Sequence, residues 1–188
     1  DNSFVVMTAG TVAGAGAAAI SGANNTAIVN KHTSARIGAA DVDAKDVDVR
    51  ASAGEEVYLV TTNASVAGAA GVGAAVGVGV IGNETRAGIG TGAVIDATGN
   101  LAVKAEQDSD LDIYTVAGSG GVVGISGAVS VGVIENTTRA LVEGSDDPVV
   151  AANLNAGGRT EIAADSVEEI TSGTVSAAGG GVGGAGAV

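Results

Sequence analysis

Val and small residues alternate over long stretches of the chain, which is the pattern of β-strands. Between positions 71 and 80, Val or Ala occupies one set of alternate positions, and Gly or Ala occupies the other. Residues 125–133 repeat this pattern with Ser among the small residues. Neighbouring side chains of a strand point to opposite faces. Val and Ile favour strands, whereas each Gly would cost a helix about 1 kcal/mol relative to Ala. The pattern therefore predicts long strands with a Val face and a Gly/Ala/Ser face.

The alternating stretches recur along the chain. The ending Val-Ile-x-Asn-x-Thr-Arg-Ala occurs at 80–87 and 133–140, a spacing of 53 residues. A weaker copy lies at 27–35, and a further copy begins at 181. We interpret residues 1–188 as a single repetitive segment of a longer chain. The approximate repeats are 3–56, 57–110, 111–169 and, in part, 170–188.

Repeats that cannot bury their own sheet face must stack on one another. The fold class predicted is all-β: an elongated, parallel β-helix-like β-solenoid built from 53-residue repeats. Two coils per repeat fit common coil sizes better than one large coil, but the spacing alone leaves both arrangements open. Stacked antiparallel hairpins are a third arrangement that the spacing allows. The third repeat carries an insertion around Asp146 to Asn153, which we expect to loop outward.

Composition narrows the possible functions. The chain has 32 Gly but no Cys and one His, which excludes disulfides and Cys-based metal sites and argues against a catalytic triad. A net charge of −13 argues against nucleic-acid binding. The uncharged runs 5–30 and 113–134 are long enough to span a membrane, but Gly, Ala, Ser and Thr gain little from insertion. Because few large side chains are present, we expect a thin body. Because the uncharged runs gain little from insertion, we expect no membrane-spanning segment.

Acidic residues at alternate positions are candidates for cation binding. Asp108, Asp110 and Asp112 are the metal-site candidates, with Ca²⁺ as the ion that carboxylate oxygens favour. No stretch matches an EF-hand or a calcium β-roll motif, and a solvated face that keeps the solenoid soluble is the simpler interpretation. Stacked repeats are expected to align further acids into a ladder. Its members are Glu55, Glu56, Asp108, Asp110, Glu168 and Glu169.

The repeat ending supplies the other candidates. Arg86 and Arg139 are expected to stack and to pair with neighbouring acids such as Glu84. Four Asn-x-Ser/Thr triplets occur, and we interpret them as structural because two belong to the repeat. Thr33, Thr85 and Thr138 recur once per period. Tyr58 and Tyr114 are interpreted as fillers of a coil corner.

The repeat endings also suggest a family. Residues 77–87 and 127–140 resemble the repeats of very large secreted bacterial surface proteins, the leukotoxin-type filamentous adhesins and related autotransporter-like proteins. The resemblance covers essentially the whole chain. It implies an extended β-solenoid outside the cell, in fibres or stalks, with no catalytic residues.

We therefore expect a non-catalytic structural segment of an extracellular bacterial fibre or adhesin, located at the cell surface. Its expected partner is itself, through end-to-end and lateral contacts in which the flat Gly/Ala/Ser face is used. Polysaccharide or a host surface is a further candidate partner, and no cofactor is expected beyond Ca²⁺. The alternative is a β-solenoid that binds a periodic ligand such as polysaccharide or ice. Eight scattered basic residues argue against a polysaccharide lyase.

Overall fold

The computed structural model describes residues 2–144 and 151–188, and the regular elements within these ranges are all β-strands. The eleven strands are β1 (Asn2–Ala15), β2 (Ala18–Ile37), β3 (Asp41–Ala44), β4 (Val47–Ala67), β5 (Ala70–Ile89), β6 (Val94–Ala97), β7 (Leu101–Gly120), β8 (Val123–Val142), β9 (Asn153–Ala156), β10 (Thr160–Gly179) and β11 (Val182–Ala187). Most of the expected insertion at 146–153 lies outside the described residues, and Asn153 begins β9.

The strands form three parallel sheets that stack coil upon coil. Sheet A has the order β1-β4-β7-β10, sheet B the order β2-β5-β8-β11, and sheet C the order β3-β6-β9. Paired residues are 52 to 59 positions apart, as for Val57 with Val5 on one side and Leu111 on the other. The predicted all-β solenoid is confirmed.

Each period of the sequence makes one coil, so the preference for two coils per period was wrong. A coil consists of a long strand in sheet A, a long strand in sheet B and a short strand in sheet C. The alternating pattern continues unbroken through about 20 residues of each long strand, as in β5 and β7. The long strands do not bend where a second, smaller coil would have to turn, and the Gly-Asn pair 82–83 lies within β5.

The cross-section of a coil is a wedge. At the narrow end, sheet A passes into sheet B through two-residue corners such as 68–69 between β4 and β5. At the wide end, sheet C closes the gap between the two long sheets. Gly92, with φ of 75°, lies in the corner between β5 and β6, where only Gly adopts this backbone conformation without strain.

The inner face of β5 carries glycine from the narrow end of the wedge to its middle. A Cβ atom added at Gly71 would lie 2.5 Å from the carbonyl oxygen of Gly120 in the facing sheet. A Cβ at Gly79 would lie 2.6 Å from Leu111 Cδ1. The inner face of β5 is therefore small because the backbone of sheet A, or one of its large side chains, occupies the space.

Large apolar side chains fill the rest of the interior. In the middle of the wedge, Leu59, Leu111 and Ile113 of sheet A pack with Ile81 of sheet B. At the wide end, side chains of all three sheets form a second cluster. Its fully buried members include Ile89, Ile95, Leu101 and Val103.

The two faces of sheet B are the reverse of what hydrophobicity suggests. Gly71, Gly77 and Gly79 are on the buried inner face, whereas Val76 and Val78 alternate with them and point outward. The expectation that the Gly/Ala/Ser face is free for lateral contact was therefore wrong. This face is the interface between the two sheets of one coil, and the Val face is outside.

The described segment is longest along its strands. A strand of 20 residues such as β7 extends about 66 Å at roughly 3.3 Å per residue. Four stacked strands in sheet A span only about 14 Å between the first and the last at roughly 4.8 Å per step. The body is thin, as expected, but these coils form a broad slab whose stacking direction is its short one.

Candidate functional site

The outer face of sheet A carries a group of carboxylates that we call the acidic face. Its members are Glu56, Asp108, Asp110, Asp112 and Glu169. Glu56, Asp110 and Glu169 lie in one column across three coils, because Asp110 pairs with both of the others. Neighbouring carboxylates in such a column are about 4.8 Å apart at their backbones.

The expected acidic ladder is only partly formed. Asp108 is next to Asp110 along β7, but its own column contains Gly54 and Val167. Glu55 points into the interior and is 3% exposed. Glu168 lies in the column of Glu55. The register thus divides the six predicted residues between the outer and the inner face of sheet A.

The three Ca²⁺ candidates lie in a row along one strand. Asp108, Asp110 and Asp112 occupy alternate positions of β7, which places their backbones about 7 Å apart in sequence order. Within the described ranges, no group of three or more His, Asp or Glu side chains has an arrangement that could hold a metal ion. Asp110 shares its column with two carboxylates, but the three Asp candidates do not converge on one point.

Burial and repulsion both disfavour the charged form of Asp110 on this face. Partial burial, followed by the charges of Asp112, Glu169, Glu56 and Asp108, raises the pKa of Asp110 above its usual value. An open groove of about 560 Å³ lies beside this column. The groove is lined in part by Phe4 and Asn2. The column therefore concentrates negative charge beside an open groove.

Two aromatic side chains lie on the same outer face, farther along the strands. The rings of Tyr58 and Tyr114 have centroids 5.5 Å apart and planes inclined by 46°. Tyr58 pairs with Asp112, and Tyr114 pairs with Val60, so the tyrosines are in adjacent columns in mid-strand. The interpretation as corner fillers was wrong.

The outer face of sheet B is uncharged over much of its length, and we call this part the apolar face. It comprises the outward residues of 18–28, 70–80, 123–133 and 182–188, none of which is charged. Asn24 and Thr26 of β2 are the polar side chains on it, and they hydrogen bond to each other. The large apolar side chains on it are Ile20, Ile28, Val72, Val76, Val78, Val80, Val123, Ile125, Val129, Val131, Val133, Val182 and Val188. Several are well exposed, with Ile20 at 80% and Ile125 at 53%.

A charged rim borders the apolar face on the side toward sheet C. Arg86 and Arg139 are paired in register, as expected, and Arg86 forms an ion pair with Glu84. His32 Nδ1 lies 3.0 Å from Glu84 Oε2. Arg36 lies 2.5 Å from Glu143 across more than one coil. The rim therefore joins coils by ion pairs that remain open to solvent.

A polar belt crosses the interior between the two apolar clusters, and sequence reasoning missed it. The buried carboxylate of Glu55 accepts a hydrogen bond of 2.5 Å from Asn83 Nδ2 and another from Gln107. Lys31 Nζ lies 2.9 Å from the other carboxylate oxygen, Oε1. Ser109 donates to Glu55 and accepts from Asn136 over 3.0 Å. The signal available in the sequence was that polar residues occupy inward-facing alternate positions of β5 and β7.

The recurrent Asn and Thr residues of the repeat ending face this belt instead of solvent. Thr85 is fully buried and donates to Gln107, and Thr33 and Thr138 share its column. The recurrent Thr residues therefore form no outer ligand-binding row. Asn83 and Asn63, the first residues of two glycosylation triplets, are 5% and 4% exposed. Their place in the interior supports the structural interpretation of these triplets.

Comparison of the chain with protein-family models, with curated proteins and with solved structures gives no match in any of the three. In the part of the chain that the structure describes, no helix is long and apolar enough to cross a membrane.

Proposed function

We propose that the chain is a structural, non-catalytic segment of an extracellular bacterial fibre or adhesin, located at the cell surface. The observation that carries the proposal is the stacking of one coil per repeat, in register, in three parallel sheets. Each coil contacts mainly its neighbours, so coils can be added without altering those already present. The resemblance of residues 77–87 and 127–140 to filamentous-adhesin repeats supports the extracellular location.

The side-chain arrangement supports a structural role over catalysis. The buried polar groups, such as Glu55 and Thr85, hydrogen bond to one another across coils instead of lining a substrate cleft. The acidic face supplies solubility, and Ca²⁺ enters the proposal only as a counter-ion there. The alternative of a periodic ligand loses its main support, since the recurrent Thr residues lie inside.

Pulling single molecules by their two ends tests the mechanical part of the proposal. A fibre element built from separable coils should extend in steps, each releasing one coil of 52 to 59 residues. Each step corresponds to about 200 Å of chain at roughly 3.6 Å per residue. Release of the whole chain in one step would contradict coil-by-coil resistance.

Antibody labelling tests the location. An antibody against the chain should label intact cells that make the protein, before any permeabilisation of their envelope. Label that appears only after permeabilisation would contradict an extracellular role.

Incubation with a panel of polysaccharides tests the non-catalytic part of the proposal and should release no fragments. Cleavage that is lost on unfolding the protein would contradict a non-catalytic role.

A further inference from the structure

The apolar face is the largest feature that the interior of the molecule does not explain. Val76, Val78 and Val80 alternate with inner glycines, so they add nothing to the contact between sheets A and B. Soluble monomers rarely expose a contiguous apolar patch larger than about 300–600 Å². The apolar face is at the upper end of this range, and patches of this size often serve as binding surfaces.

We infer that the apolar face pairs with the apolar face of a second copy of this chain, so that two solenoids pack side by side. The inference rests on the proposed function and names the lateral partner within it. The surface used is the Val face, not the Gly/Ala/Ser face that the sequence suggested.

The area available is enough for such a pair. Eleven residues per strand extend about 36 Å, and the three full strands with part of β11 span about 17 Å. The face thus measures roughly 600 Å² per copy, or roughly 1,200 Å² for a pair, which is the lower limit of stable interfaces. Each further coil would add area on both copies, so pairing strengthens as the solenoid lengthens.

The raised and recessed columns of the apolar face are complementary to those of a second copy of the same face. Ile20, Val72 and Ile125 form a ridge along the stacking direction, since they occupy one column of the register. The neighbouring column contains Gly22, Ala74 and Gly127 and forms a furrow of the same spacing. A second copy related by a two-fold axis presents the same ridges and furrows, which is the requirement for an isologous contact.

Charge favours this face over the outer face of sheet A for a side-by-side contact between two copies. The chain has a net charge of −13, and the acidic face concentrates carboxylates on the opposite side of the coil. Contact through sheet A would bring Asp110 and its neighbours against the same residues of the other copy. Contact through sheet B brings uncharged surfaces together and leaves both acidic faces in solvent.

Paired Val-to-Lys variants test the inference in sedimentation experiments on the whole chain. Val78→Lys with Val131→Lys places two charges within the apolar face, in adjacent coils. Val116→Lys with Val175→Lys makes the same change, also in adjacent coils, on the outer face of sheet A. The wild type should form a dimer near 100 µM, the first variant should dimerise at least about 100-fold more weakly, and the second should dimerise as the wild type does.

Salt gives a second readout, because screening of the net negative charge should tighten the dimer as NaCl rises. A wild type that remains monomeric at several hundred micromolar would overturn the inference, as would a dimer that only the sheet A variant weakens. Phosphatidylcholine vesicles that bind the monomeric wild type, and do not bind the sheet B variant, would identify a lipid surface as the partner. This result would also overturn the inference.

Cysteine chemistry keeps the test independent of how well the lysine variants fold. The chain contains no Cys, so Val78→Cys and Val116→Cys each introduce one thiol. A short bismaleimide should join two copies through position 78 and not through position 116, and the reverse result would overturn the inference. Coil-by-coil extension under force does not depend on pairing. A failed cross-link with intact steps would therefore refute only this inference.

Discussion

At the scale of residues, the carboxylate of Asp110 is held in an unfavourable place. Partial burial and the charges of four neighbouring carboxylates raise its pKa, so the folded chain binds a proton there more readily than the unfolded chain does. The folded state therefore takes up the proton first as pH falls. Stability contributed by this group decreases as pH rises from the unfolded pKa through the raised folded pKa.

Asp110→Asn should therefore stabilise the fold at neutral pH, by about 0.5–1 kcal/mol, because it removes like charges placed opposite one another. The gain should diminish as pH falls through the raised pKa of Asp110 in the folded chain, and it should be lost below the pKa of Asp110 in the unfolded chain. Urea titrations at pH 7 and at pH 3 measure both effects. Asp41→Asn is the matched control, since Asp41 pairs with Val94 in sheet C. Equal gains in the two variants at pH 7 would argue against repulsion in the column.

Glu55 represents the opposite case, a charge that is buried with its partners. Glu55→Ala should destabilise the chain by about 3–5 kcal/mol, since Lys31 and the amides of Asn83 and Gln107 would lose their common acceptor. Replacing both charges, as in Glu55→Gln with Lys31→Met, should recover much of this loss. Chemical unfolding of Glu55→Gln, Lys31→Met and their double variant gives the coupling energy. Strictly additive losses would show that the ion pair contributes nothing.

At the scale of elements, the separation of sheets A and B is set by glycines on the inner face of β5. Gly71 faces backbone, since an added Cβ would lie 2.5 Å from the Gly120 carbonyl oxygen and 3.0 Å from that of Ser65. Backbone in two paired strands cannot move aside as a flexible side chain can. A side chain at this position would have to separate the sheets at their narrow end.

Gly71→Val should therefore lower the free energy of unfolding by about 2–3 kcal/mol, although Val is the better strand residue. Gly186→Val is the control in the same sheet, because no atom lies within 4 Å of a Cβ added there. That variant should be neutral or slightly stabilising. Thermal unfolding followed by circular dichroism compares the two. Equal effects would mean that strand propensity, and not sheet separation, governs these positions.

The strands and their period were predictable from sequence, whereas the direction of their faces was not. Alternation within 71–80 and the repeat of the Thr-Arg-Ala step are local patterns, so they indicate strands and stacking directly. Which face is buried depends on a strand about 30 residues away, where Leu111 requires a partner as small as Gly79. Hydrophobicity favours burying Val, but the close approach of the sheets leaves no room for it. The inward position of Glu55 likewise depends on partners from other strands, such as Lys31 and Gln107.

At the scale of the whole molecule, the coils make a slab with two unlike sides. One side carries the acidic face and the other carries the apolar face with its charged rim. Small-angle scattering should give a maximum dimension near 70 Å for the monomer, set by strand length rather than by the number of coils. A chain of the same mass extended along the stacking axis would contradict this, as would a compact sphere.

The number of residues in a coil also determines how many residues the chain needs to extend a given distance along the stacking axis. With 53 residues per step between β5 and β8, the chain uses about 110 residues for each nanometre of axial advance. Repeats of 20–29 residues would use about 40–60 for the same distance. A projection of 100 nm would need about 11,000 residues, which a ribosome translating about 5–20 residues per second takes roughly 10–40 minutes to make. Such an architecture gains little length per residue but presents a broad surface, so a fibre built from it would be a wide ribbon rather than a thin filament.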